Sequence, residues 1–116
     1  MATIHLNKAG FLRRVADIDN NEGKFLGESP ALIDFYAPWC GPCKMLSPVL
    51  EELSEEFEGK VDIYKVNVDE EEELSAAFGI RSVPTLIFVP MNGAPQMSAG
   101  ALPKPQLKEA IERILL

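Results

Sequence analysis

The chain has 116 residues, 47% of them hydrophobic and 25% charged, which suits one ordinary folded domain and excludes a disordered or fibrous chain. Eleven Lys and Arg stand against 18 Asp and Glu, a net charge of -7 with the basic residues scattered; that balance repels nucleic acid and anionic membrane surfaces. The opening stretch, MATIHLNKAGFLRR, lacks a basic leader with a long apolar run, and no later run is long enough to cross a bilayer, so we expect a single domain over residues 1–116 acting in the cytoplasm.

In chain order, TIHL reads as a short strand, Asn7 as a helix cap, and Phe11, Leu12 and Val15 as one helical face. DIDNNEGKFLGES, from Asp17 to Ser29, reads as a polar loop. Ala31 to Tyr36 is an apolar run broken only by Asp34, the pattern of a strand covered on both faces. Leu46, Val49, Leu50, Leu53 and Phe57 then recur at helical spacing, with Glu51, Glu52, Glu55 and Glu56 opposite and an end near Gly59. Pro48 falls inside that helix, removes one backbone hydrogen bond and should bend it.

Val61 to Val68 is rich in branched and aromatic residues and predicts a strand. DEEEELSAAFG predicts a short helix with acids at its positive end, Leu74, Ala77 and Phe78 on one face, and Gly79 as its stop. VPTLIFV from Val83 predicts a strand, Asn92-Gly93 a hairpin, and QMSA its antiparallel return. Pro105 stands near the start of a closing helix with Leu107, Ala110, Ile111, Ile114 and Leu115 on one stripe. The order βαβαβαββα implies an α/β fold with a mixed sheet and helices on both faces.

Both cysteines of the chain lie in WCGPC, residues 39–43. A disulfide over so short a loop constrains little of the unfolded chain, and cytosolic thiols are kept reduced, so a structural staple is disfavoured. Zinc needs two further thiolate or imidazole ligands, and the chain offers only His5; we expect no metal. A redox pair remains. It follows a strand and opens a helix, where unpaired N–H groups and the positive dipole end favour a thiolate at Cys40, with Cys43 one turn further in and less exposed.

DFYAPWCGPCKMLSPVLEEL, VNVD, VPTLIFVPMNG and GALPKPQLKEAIERIL together resemble the thioredoxin family, from about residue 25 to the C-terminus. The resemblance implies the thioredoxin fold, a central mixed five-stranded sheet flanked by four helices. It implies a protein disulfide reductase in which Cys40 is the nucleophile and Cys43 resolves the mixed disulfide. No cofactor would be bound; electrons would come from NADPH through a flavin-dependent thioredoxin reductase. Clients would be oxidised proteins of the ribonucleotide reductase, peroxiredoxin or methionine sulfoxide reductase type, and the protein would act as a monomer in cell redox homeostasis.

Asp34 alone reads either as a strand-edge carboxylate in a solvent gap or as a buried acid of raised pKa; the resemblance favours the second, with Asp34 accepting the Cys43 proton and Lys65 tuning it. By the same resemblance Pro84 is cis, and Val83 offers backbone groups to an extended client segment. Trp39, Gly41, Pro42, Gly100 and Ala101 would complete a shallow, mostly apolar docking surface. Tyr36 departs from the tryptophan common in the family. Asp69 to Glu73 read as a solvated helix start and His5 as a surface residue. An oxidant or isomerase of this fold typically carries histidine between its cysteines, whereas Gly41-Pro42 is uncharged and predicts a reducing couple. A pure binding module with incidental cysteines is the alternative of a different class.

Overall fold

Strand β2, Ala31–Tyr36, is the centre of the molecule: it pairs in parallel with β3, Asp62–Asn67, on one side and antiparallel with β4, Thr85–Val89, on the other. A two-residue strand β1, Ile4–His5, extends the sheet beyond β3, and β5, Gln96–Ala99, extends it antiparallel beyond β4. The order is β1-β3-β2-β4-β5. The helices are α1, Lys8–Arg14, α2, Gly41–Glu56, α3, Glu72–Ala77, and α4, Lys104–Leu115. This computed structural model describes residues 3–15 and 27–116, so all but the last three residues of the expected loop from Asp17 to Ser29 lie outside the described residues.

The alternation of side chains along the strands divides the core into two layers. Leu32, Ile63, Leu86 and Phe88 face Leu46, Leu50, Leu53 and Phe57 of α2 and Leu107, Ala110, Ile111 and Leu115 of α4. Ala31, Ile33, Phe35, Tyr64, Val66 and Ile87 face Phe11 and Val15 at α1 and Leu74 of α3. The apolar run of β2 is thus explained by cover on both faces. Among its even-numbered residues, on the side of α2 and α4, stands Asp34.

Local chemistry sets the boundaries. Asn7 caps α1 by accepting from the Gly10 N–H at 2.7 Å. Gly79 follows α3 with φ 64, a left-handed conformation that costs other residues more. Three expectations are adjusted. Ala77 is exposed, because α3 is so short that it docks through Leu74 while Phe78 turns onto Phe11 and Phe35, ring centroids 5.3 and 5.6 Å away. Strand β4 starts at Thr85 rather than Val83, since Pro84 has no N–H to give a ladder. The hairpin around Asn92-Gly93 is a longer loop spanning 90–95, with Gly93 at φ 104.

Candidate active site

At the end of β2 the chain turns through Ala37, Pro38 and Trp39, and the Cys40 N–H donates to the Ala37 carbonyl at 3.1 Å. Cys40 is extended, φ -87 and ψ 114, and caps α2: its sulfur accepts the Cys43 N–H at 3.2 Å. Sulfur here takes the place that Ser or Asp oxygen holds at most helix starts. Pro42 lies in the first turn, where a missing N–H costs nothing. Cys40 and Cys43 are joined as a disulfide, with their Cα atoms 5.3 Å apart.

The two cysteines are equally covered, 5% and 4% exposed, so the expected contrast in exposure is absent in the disulfide form. What separates them is their neighbours. Cys40 Sγ receives the helix N–H and lies 3.7 Å from the Val83 carbonyl oxygen. Cys43 faces inward, lining a cleft of about 120 Å³ with Tyr36, Ala37, Pro38, Lys44, Ser47 and Lys65.

The Val83–Pro84 peptide is cis. The Pro84 carbonyl accepts the Gly100 N–H at 2.8 Å, Gly100 having φ 92, so the loop with Gly100 and Ala101 is tied beside the loop that faces Cys40. Pro42 and Ala101 line one groove of about 330 Å³, together with Met45, Leu46, Val49, Leu102 and Pro103. Trp39 is 70% exposed, excluding a core role, and its indole N–H donates to Asp69 at 3.0 Å. Gly41 is exposed beside it.

Asp34 is fully buried, and neither carboxylate oxygen has a hydrogen-bond partner among the described residues. Burial pushes its pKa up to about 7 from an ordinary 3.8, against the pull of the Lys65 ammonium. Asp34 and Lys65 are partners across the β2–β3 ladder. Yet the Lys65 ammonium donates to Ser47 Oγ at 2.8 Å and lies 4.6 Å from the centre of the Tyr36 ring. The Tyr36 hydroxyl is 3.4 Å from His5 Nδ1. The solvent-gap reading of Asp34 is therefore overturned: a carboxyl without partner or water access holds its proton to neutral pH.

Met45, Leu102, Ser47 and Asp69 are neighbours of this site to which sequence reasoning assigns no part in it, Asp69 being read only as a solvated helix start. Met45 stands just off the helical apolar stripe and is 79% exposed; a methionine there is the one sequence signal. The others are placed by tertiary contacts alone. Among the described residues no group of three His, Cys, Asp or Glu side chains could hold a metal ion, and no helix is long and apolar enough to cross a membrane.

A disulfide closed across the first turn of a helix, with the helix N-terminus placed to hold a thiolate at Cys40, suits the exchange of thiol for disulfide. The chain belongs to the thioredoxin family, whose model matches residues 3–113. It is 46% identical over 113 residues to the thioredoxin of Borreliella burgdorferi, covering 97% of this chain and 93% of that one. To the thioredoxin of Haemophilus influenzae it is 46% identical over 110 residues, 95% of this chain and 94% of that one. The M-type chloroplastic thioredoxin of Spinacia oleracea is 40% identical over 107 residues, 90% of this chain and 59% of that one. The fold is similar to the crystal structure of a chloroplastic thioredoxin z, TM-score 0.82 at 28% identity, covering 98% of this chain and 95% of that chain. The protein is a protein-disulfide oxidoreductase with Cys40 and Cys43 as its redox pair.

Proposed function

We propose that the chain, residues 1–116 acting as one monomeric domain, is a general cytoplasmic reductant of protein disulfides. The observation that carries the reading is a Cys40–Cys43 disulfide at the start of α2, close after a strand whose one carboxyl is buried and unpartnered. The Cys40 thiolate, held by the Cys43 N–H and the helix dipole, attacks a client disulfide; a Cys40–client bond forms and the second client sulfur leaves as thiolate, taking a proton from water. Cys43 gives its proton to Asp34 and attacks Cys40 Sγ, so the Cys40–Cys43 bond forms and the other client sulfur leaves as thiolate. Two electrons pass from the dithiol to the client. Lys65 tunes the carboxyl.

An extended client segment lies along the backbone of Val83 and Pro84, over the apolar floor given by Trp39, Gly41, Pro42, Gly100 and Ala101. The oxidised pair is returned to the dithiol by a flavin-dependent thioredoxin reductase drawing on NADPH. Clients are proteins whose own turnover leaves a disulfide, such as those of the ribonucleotide reductase, peroxiredoxin and methionine sulfoxide reductase types.

Insulin reduction with dithiothreitol as electron source tests the reading. Cys40→Ser abolishes turnover, and a variant of full activity refutes Cys40 as nucleophile. Equilibration with glutathione tests the direction of electron flow. Thioredoxins have couples near about -270 mV, a value borrowed from the family, and one above about -200 mV for this chain would overturn the reductant reading.

A further inference from the structure

Lys65 and Asp34 are aligned partners on adjacent parallel strands, with both side chains on the sheet face covered by α2 and α4. Such strands lie about 4.8 Å apart, well within reach of a lysine side chain. An ammonium beside a buried carboxyl ordinarily pairs with it. Here it does not: Lys65 is 9% exposed, its ammonium is given to Ser47 Oγ at 2.8 Å and to the face of Tyr36, and both Asp34 oxygens are left unpartnered.

We propose that Ser47 is a positioning residue for the reaction: its hydroxyl holds the Lys65 ammonium in the cleft behind Cys43, out of contact with Asp34, so that the carboxyl stays unpaired and able to receive a proton. The inference rests on Asp34 as proton acceptor in the resolving step. Ser47 lies one helical turn beyond Cys43 and lines the same cleft. A serine at this position therefore acts on the redox chemistry through Lys65 without touching either sulfur.

The charged surroundings leave Lys65 no equivalent alternative in the interior. Opposite Asp34 on β4 is Leu86, and α4 brings the apolar Leu107 and Ile111 to this face. Tyr36 lies under the ammonium, with His5 on β1 at its hydroxyl and Glu70 acting on it from beyond β3. On α2, Lys44 shares the cleft and Glu51, bonded to Thr3, feels Lys65 at a distance. Among the described residues, the buried side-chain acceptors with no partner are the two oxygens of Asp34. A buried ammonium deprived of Ser47 turns to them, because an unpaired polar group in the interior is costly.

The test is the titration of the Asp34 carboxyl by carbon NMR in the oxidised full chain, with the signal assigned by its loss in Asp34→Asn. In Ser47→Ala the midpoint is expected to fall by about 1–3 pH units, the effect of an opposite charge brought to a carboxylate. Ser47→Thr, which keeps the hydroxyl, is expected to titrate as the unaltered protein does. A midpoint in Ser47→Ala that stays where it was, or rises, overturns the proposal. The pH profile of client release from the mixed disulfide is measured alongside. If the carboxyl midpoint falls and the release profile does not follow it, Ser47 keeps its placing role while Asp34 loses its role as base.

Discussion

A carboxyl that stays protonated to about pH 7 has a stability consequence whose sign can be worked out. Between about pH 4 and 7 the unfolded chain has released the Asp34 proton while the folded chain keeps it, so raising pH favours unfolding; above about 7 the penalty is constant. The gap from 3.8 to about 7 corresponds to about 4 kcal/mol. The stability of Asp34→Asn relative to the unaltered oxidised protein should therefore rise by about 4 kcal/mol between about pH 4 and pH 8, as denaturant titrations at the two pH values would show. A difference that stays flat would mean the carboxyl is solvated. The same variant should slow the resolving step about 100-fold and abolish its rise through neutral pH. Trp39, the single tryptophan, precedes Cys40 and gives a fluorescence signal for stopped-flow measurement. Cys43→Ser, lacking the resolving thiol, should accumulate mixed disulfides visible on non-reducing gels; absence of any trapped client would remove that role.

Among the elements, two glycines separate conformation from packing. A Cβ at Gly79 or at Gly41 meets nothing within 4 Å, but Gly79 has φ 64 while Gly41 begins α2 in ordinary helical backbone. Gly79→Ala should cost about 1–2 kcal/mol and Gly41→Ala no more than about 0.5 kcal/mol, read from denaturation midpoints. Element type and order are legible in the sequence because each segment carries its own period: alternate or continuous apolar residues in β2 and β3, the spacing of Leu46, Leu50, Leu53 and Phe57 in α2. Element ends are less legible. Ala77 shows why: helical spacing places it on the face of Leu74, but α3 is too short for the sheet to cover a second position.

For the whole molecule, α2 ties the redox pair to the core. Leu50, fully buried between the sheet and α4, should cost about 2–5 kcal/mol when changed to Ala, whereas exposed Met45 on the same helix should cost no more than about 0.5. Thermal unfolding checks both, and insulin reduction below the transition should be unaltered in Leu50→Ala. Lys104 and Lys108 bridge α4 to Glu52 and Glu56 of α2, but these pairs are largely solvated and add little.

Sequence by itself determined the redox pair, its place between a buried strand and a helix start, and the order of the elements, because these depend on residue type and local spacing. It also singled out Asp34 as the charge that does not belong in β2. Only the tertiary structure decided what that charge experiences: α2 and α4 seal it from water, and Lys65, its neighbour across the ladder, turns away to Ser47 and Tyr36. The contact of Cys40 with the Val83 carbonyl and the tie from Gly100 to Pro84 are likewise products of packing. Residues 34, 40, 47, 65 and 83 are set together by sheet pairing and helix docking, forces that act between elements distant in sequence and leave no periodic mark along it.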